Sequence, residues 1–383
     1  MPRENHRSRW ALAHDIAYGW TALSDPTAFP GRPFGALVGG SDCAVSAHPF
    51  CDAGACLAKT AHNVTYEMLI VVVNYRTASL VADCLRSLEP EVASLPGTRV
   101  VVVDGGSADG SAEQLEACIQ EHGYRWAELL ALPDNRGFAA GNNAGLRHAL
   151  ACGDRPAYVY LLNPDTVVLP GALQALVSFM REYPRAGIAG SRCENPDGSP
   201  RQTAFRFHSI LGELESEAAL GLVSRLLEDA RVAMPVSTVP HRSDWVSGAA
   251  MLVRTEVFER IGLLDEEFFL YYEETDFTRR AAAAGFECWY VPASRVIHYC
   301  GQASGITGAQ AHKNRVPGYW YASRRRYFEK HHGRMYAAAA DAAWLAGSIT
   351  RRCRRTLMQR PSQDPPKQLR DFLRWSALRW TTL

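Results

Sequence analysis

The sequence has almost no net charge. Its 41 Lys and Arg face 40 Asp and Glu, leaving +1 over 383 residues. Nothing global therefore draws it to a polyanion, and no nucleic-acid partner is expected. It has no run of about 18 or more apolar residues, so no transmembrane helix is expected. The opening MPRENHRSRW carries charge with no apolar core behind it, and no signal peptide is read there. The ten cysteines show no paired spacing. Cys84, Cys118, Cys152, Cys193 and Cys288 fall singly in apparent helices and strands, which suits reduced thiols in a cytoplasmic protein. Cys43, Cys51 and Cys56, with His48 and His62 nearby, fit no zinc spacing. Also missing are G-x-G-x-x-G after the first strand, G-x-x-x-x-G-K-[ST], G-x-S-x-G and H-E-x-x-H. The usual dinucleotide, P-loop, hydrolase-elbow and zincin readings lose support with them.

What is present begins at Met68. Residues 1–66 read as an irregular N-terminal extension, punctuated by Gly, Pro, Ser and Ala. MLIVVVNY is then a continuous β-branched run, the mark of a strand buried on both faces. Leu80, Cys84, Leu85 and Leu88 share one helical face after it. RVVVVDGGSADGS reads as a second buried strand ending at Asp104, with Ser111 expected to cap the next helix. WAELLAL and AYVYLLN read as further strands, and PGALQALVSFMREYP as a helix with Pro170 at its start. Alternation of this kind predicts an α/β fold, a mostly parallel sheet with helices on both faces.

In such a sheet, ligands bind beyond the carboxyl ends of the strands. The residues there are Asn74, Asp104, Asn163 and Asp165. A carboxylate beside a nucleotide diphosphate repels it unless a divalent cation takes oxygen from both. Either Asp is equally able to be a helix N-cap, and that reading stays open. A second acidic cluster, Glu273, Glu274 and Asp276, follows the aromatic run FFLYY. On a helix start, Glu273 and Asp276 share a side while Glu274 points elsewhere. Crowding is expected to raise carboxyl pKa values, as suits a proton acceptor, and the aromatics to wall a cleft. The alternative is a solvated first turn. His298, at the end of RVIH, is either structural or a metal ligand partnering Asp165.

Taken in order, IVVVNYRTASLVADCLRSL, VVVVDGGSADGS, NRGFAAGNNAGLRHAL, YLLNPDTVV, WVSGAAMLVRTEVFERIGLLDEEFFLYYEETDFTRRAAAAGF and VIH resemble an inverting family 2 glycosyltransferase of the GT-A fold, in its bacterial rhamnosyltransferase-like branch. The resemblance covers roughly residues 67–305. It implies that Asp104 contacts the nucleoside, and that Asn163-Pro164-Asp165 stands for a D-x-D-like motif with Asp165 holding Mg²⁺ or Mn²⁺. It implies that Glu274 is the catalytic base with Glu273 before it, that His298 completes the metal site, and that Asn142 and Arg136 border the nucleotide. Two positions depart from the family pattern: Gly105 replaces an Asn, and Glu274 replaces an Asp. The implied donor is dTDP-rhamnose or a UDP-sugar. The implied acceptor is a glycan or lipid-linked glycan in cell-wall or surface polysaccharide synthesis. A non-catalytic nucleotide-sugar-binding module is the alternative. A nucleotidyltransferase would need a Gly-rich loop with a basic residue straight after the first strand, and NYRTASL lacks the glycines.

Residues 306–383 read as a helical, basic C-terminal region. From His331 onward ten Lys or Arg outnumber three Asp, an excess of seven. Amphipathic segments are expected around 335–358 and 367–380. They are either a peripheral contact on the inner face of the plasma membrane or a helical pair packed on the catalytic domain.

Overall fold

The computed structural model describes residues 66–151, 155–218, 221–299, 314–362 and 364–378. The N-terminal extension up to residue 65, with its cysteines and histidines, lies outside the described residues, as does the Gly-rich segment after Tyr299.

A nine-stranded sheet organises the chain, with spatial order β3-β2-β1-β4-β10-β6-β11-β5 and β8 added beside β11. Its first strands are β1 (Tyr66–Asn74), β2 (Thr98–Asp104), β3 (Ala127–Ala131) and β4 (Pro156–Leu162), paired in parallel. After them come β5 (Thr166–Val168), β6 (Ala186–Glu194), β8 (His241–Ser243), β10 (Ala250–Arg254) and β11 (Glu287–His298). Strand β10 runs antiparallel between β4 and β6. A small second ladder pairs β7 (Ala204–Phe205) with β9 (Trp245–Val246). The mostly parallel α/β class expected from the sequence is therefore the observed one.

The β-branched run of β1 is buried on both faces because period-two alternation sends its residues into two different cores. Met68, Ile70 and Val72 pack with α1 (Ala78–Ser94) and α4 (Ala172–Glu182). Leu69 and Val71 pack on the other face with α3 (Phe138–Ala151), α7 (Thr255–Ile261) and α8 (Glu273–Ala283). Gly141 and Gly145 allow α3 to lie close: a Cβ there would come within 2.7 Å of Val73 and 2.8 Å of Val71. Helix α2 (Ser111–Glu121) starts otherwise than expected. Ser111 is its first residue, not its cap, and Asp109 Oδ1 accepts the Ser111 N–H at 3.0 Å.

The sequence ILGELESEAALGLVSRLLEDA reads as one helix, whereas the structure has α5 (Ile210–Ala218) and α6 (Gly221–Leu226) there. The C-terminal region holds α9 (Gly318–His332), α10 (Arg334–Leu357) and α11 (Gln368–Trp375). The expected amphipathic pair is α10 and α11; α9 was not read from sequence. Their apolar faces build a third core with Phe268 and Tyr272, residues from before α8. Trp344 and Phe372 stack inside it, centroids 3.7 Å apart. Buried charges lock the region to α5: Arg324 pairs with Glu213 at 2.8 Å and with Asp341, and Arg351 pairs with Glu217 at 2.9 Å. The inward aromatics of the tail are thus core, as in the packed-pair alternative. Among the described residues, no helix is long and apolar enough to cross a membrane.

Candidate active site

The parallel register sets Asn74 directly beside Asp104 at the carboxyl edge of the sheet. Asn74 Nδ2 donates to Asp104 Oδ1 at 2.7 Å, and Ser107 donates through Oγ to the same oxygen at 2.6 Å. The Ser107 N–H reaches Asp104 Oδ2 at 3.0 Å, and Asn74 Oδ1 takes the Thr77 N–H at 3.1 Å. Both side chains are buried and hold the turns beyond β1 and β2 in place. Gly106 is the position that needs glycine there. It has φ of 67°, and a Cβ would meet the Asp134 backbone at 2.8 Å. Gly105 has no such need, since its Cβ would approach Asn74 O at 3.3 Å without a left-handed φ.

The second part of the rim follows β4. Asn163 donates its N–H to Ala249 O at 2.9 Å, which ties it to the turn before β10. Asp165 is buried, and His298 Nε2 lies 3.1 Å from its Oδ1. The same nitrogen is 3.4 Å from Asn163 Nδ2. Strand pairing of β11 with β5 brings His298 there, opposite Thr166, from more than a hundred residues away. Asp165 and His298 thus offer a cation one carboxylate and one imidazole. Among the described residues no group of three His, Cys, Asp or Glu is gathered around a metal position.

The third part is the start of α8. A Cβ on Gly248 would lie 3.6 Å from Glu274 Cβ, 3.8 Å from its carboxyl carbon and 3.6 Å from Phe138 Cε1. Gly248 stands in the turn that also holds Asn163, so Glu274 faces the same edge as Asp165. The segment before α8 is rigidly anchored. Phe138 donates its N–H to Phe269 O at 2.8 Å, and a Cβ at Gly137 would fall 2.0 Å from that oxygen. Tyr271 and Tyr272 both adopt left-handed backbone, φ of 70° and 69°, a conformation costing roughly 1–3 kcal/mol per non-glycine residue. Phe268 and Tyr272 are buried in the third core. That half of the aromatic run is therefore support for α8 and not the cleft wall expected.

Burial raises the Glu274 carboxyl to about 7, against partial opposition from backbone N–H groups including those of Gly248 and Thr275. Glu273 is pushed well above the ordinary range by burial and then by the charge of Glu274. Their Oε2 atoms are buried without a hydrogen-bond partner among the described residues, as is Asn142 Oδ1 on α3. Asp276 departs from the crowding expected. Burial pushes it up, but hydrogen bonds from His331 and Lys330 and the Arg280 charge outweigh that and hold it near 2. Arg136 is largely exposed and pairs with Glu266 at 3.3 Å. The structure thus brings Asn74, Asp104, Asn163, Asp165, His298 and Glu274 to one edge of the sheet. Ser107, which sequence reading passed over, is recognisable only by what it does for Asp104.

Residues 69–232 match the family model described as Glycosyl transferase family 2. The chain is 28% identical over 256 residues to the N-acetylglucosaminyl-diphospho-decaprenol L-rhamnosyltransferase of Mycobacterium tuberculosis (strain ATCC 25618 / H37Rv), covering 63% of this chain and 79% of the relative. It is 27% identical over 168 residues to the rhamnosyltransferase WbbL of Escherichia coli (strain K12), covering 43% and 61%. A solved structure of GalNAc-T7 with UDP, GalNAc and Mn²⁺ superposes at a TM-score of 0.48 and 15% identity, over 78% of this chain and 55% of that one.

Proposed function

We propose that the family 2 domain is an inverting glycosyltransferase acting on a nucleoside diphosphate sugar, with dTDP-rhamnose as the first donor to test and UDP-sugars next. The acceptor is a hydroxyl of a glycan or lipid-linked glycan in cell-surface polysaccharide synthesis. The observation that carries this reading is Glu274: a carboxyl raised to about 7, with one buried unpartnered oxygen, at the rim that holds Asp165. A base poised near neutrality suits abstraction of a proton from a hydroxyl.

In this reading the donor lies across the strand ends against Asn74, Asp104, Arg136, Asn142 and Asn163. Asn142 Oδ1 has an acceptor to spare for it. Glu274 takes the acceptor proton as that oxygen bonds to the anomeric carbon. The bond from that carbon to the diphosphate breaks in the same displacement, so the configuration inverts. Asp165 and His298 would hold Mg²⁺ or Mn²⁺, with diphosphate oxygens and water completing the coordination. The cation, when bound, neutralises charge on the leaving diphosphate. A buried carboxylate 3.1 Å from an imidazole fits that task.

The expected site of work is cytoplasmic, with peripheral contact on the inner face of the plasma membrane. The tail supports it with exposed Ile349, Leu357, Met358, Leu373 and Leu378 among arginines. The domains in this reading are the extension 1–66, the catalytic domain 67–305 and the basic helical region 306–383. The deciding experiment is transfer from a nucleotide sugar with and without divalent metal, for the parent and Glu274→Ala. Parent turnover, lost in the variant while donor binding persists, supports the reading. Donor binding without parent turnover favours a non-catalytic binding module.

A further inference from the structure

Helix α8 carries more than Glu274. Two residues on, Asp276 is fully buried and faces away from the rim, toward α9. Its Oδ1 lies 2.8 Å from His331 Nε2 and 2.6 Å from Lys330 Nζ. Its Oδ2 accepts from Arg280 Nε at 2.9 Å. Arg280 in turn donates to Ile261 O and Leu263 O, both at 2.8 Å, at the end of α7. Lys330 also binds Asp265 at 2.8 Å, beside Leu264, whose N–H and carbonyl are both held by the Asn143 side chain of α3. Thus the first turn of α8 is tied to α7, to α3 and to the last turn of α9. Acids at a helix start meet cations at a helix end, the arrangement both macrodipoles favour. The remaining groups near Asp276 are Glu273 on its own helix and Tyr327 on α9.

We propose that His331 and Asp276 are positioning residues for the base: the α9 helix, through His331 and Lys330, sets the rotation of α8 and so the aim of Glu274. This rests on Glu274 being the base. An acid clamped on one side of a helical turn fixes where the residue two positions earlier points. Without the clamp, the carboxyl at 274 drifts from the acceptor hydroxyl, and misplacement by about 1 Å is worth up to ~10²-fold in rate. The consequence is that the C-terminal region belongs to the catalytic apparatus, whatever else it touches.

The test uses the full chain and four variants: His331→Ala, His331→Gln, Asp276→Asn and Glu274→Gln. For His331→Ala, kcat should fall at least ~10-fold with donor KM and donor affinity within about twofold of the parent. Added imidazole should restore part of kcat, and His331→Gln, which keeps a hydrogen-bond donor, should retain most of it. A purely structural role would instead lower thermal stability, with no rescue of kcat by imidazole. If His331→Ala does not fold, Asp276→Asn carries the same test, since it keeps shape and one hydrogen-bonding oxygen. Unchanged kcat in a folded His331→Ala, beside an inactive Glu274→Gln, overturns the clamp alone. A fully active Glu274→Gln overturns the base assignment, and the clamp with it.

Discussion

Asp104 and Glu274 stand at the same edge of the same sheet; Asp104 is buried and Glu274 is half-buried with one oxygen out of reach of solvent, yet they are opposites. Asp104 accepts from Asn74 and twice from Ser107, and its partners are themselves engaged in the turns they form. Glu274 keeps a buried oxygen with no protein partner among the described residues, and its burial raises its pKa toward 7. A saturated buried acid stabilises the loop it closes. An unsaturated one carries a standing desolvation cost that only a ligand can offset. Burial therefore does not mark the reacting end of the site; incomplete satisfaction does.

The sharpest way to test that contrast is Glu274→Ala. Transfer should fall by about 10²–10⁴-fold, the range for loss of a general base, with donor affinity measured by calorimetry nearly intact. In the parent, kcat/KM should decline as pH falls below about 7, where Glu274 takes up its proton. A variant that turns over normally removes the contrast altogether.

Next in size is Asp165→Ala. It should cost about 10²-fold or more in transfer and abolish any extra thermal stabilisation that Mn²⁺ gives with a nucleoside diphosphate. Retained metal-dependent stabilisation would remove Asp165 from the cation site.

Asp104→Ala tests the other half of the comparison. Three donated hydrogen bonds are lost, so unfolding by urea should show a deficit of about 1–3 kcal/mol. Stability unchanged with donor binding lost would make Asp104 a ligand contact first and a turn former second.

The smallest effect expected is on the stability of Glu274→Gln, whatever it does to transfer. The folded carboxyl at about 7 lies above the ordinary 4.5, so between those values the folded chain binds more protons than the unfolded one. Stability contributed by the protonated group is present below about 4.5 and is lost as pH rises through about 7. Gln carries no such loss. Its melting temperature should exceed the parent's by a few degrees at pH 8 and match it at pH 4, as read by calorimetry. An equal melting temperature at pH 8 would mean that Glu274 is not strained by burial.

Much of the sheet was legible before any coordinates. β1, β2 and β4 are continuous apolar runs, because strands buried on both faces have no polar side to show. The two-residue strands β7 and β9 were not legible, since no periodicity exists over two residues. Helix α9 was missed for another reason: its buried side includes Arg324, and a charged residue breaks an apolar pattern. Only Glu213 and Asp341, from two other helices, make that burial tolerable. The expected upward shift held for Glu273 and Glu274 and failed for Asp276, whose partners lie 54 and 55 positions further along.

By itself, then, the order of residues determined the long buried strands and the apolar-faced helices, and that Asn74, Asp104, Asn163 and Asp165 end strands on one side of a sheet. Those outcomes follow from local periodicity and from the direction of parallel strands. Only the folded chain decided which carboxyl is satisfied, which is left wanting a partner, and which is pinned by a distant helix. The charge state and reach of an acid depend on neighbours brought within about 3 Å by packing, and spacing along the chain does not encode them.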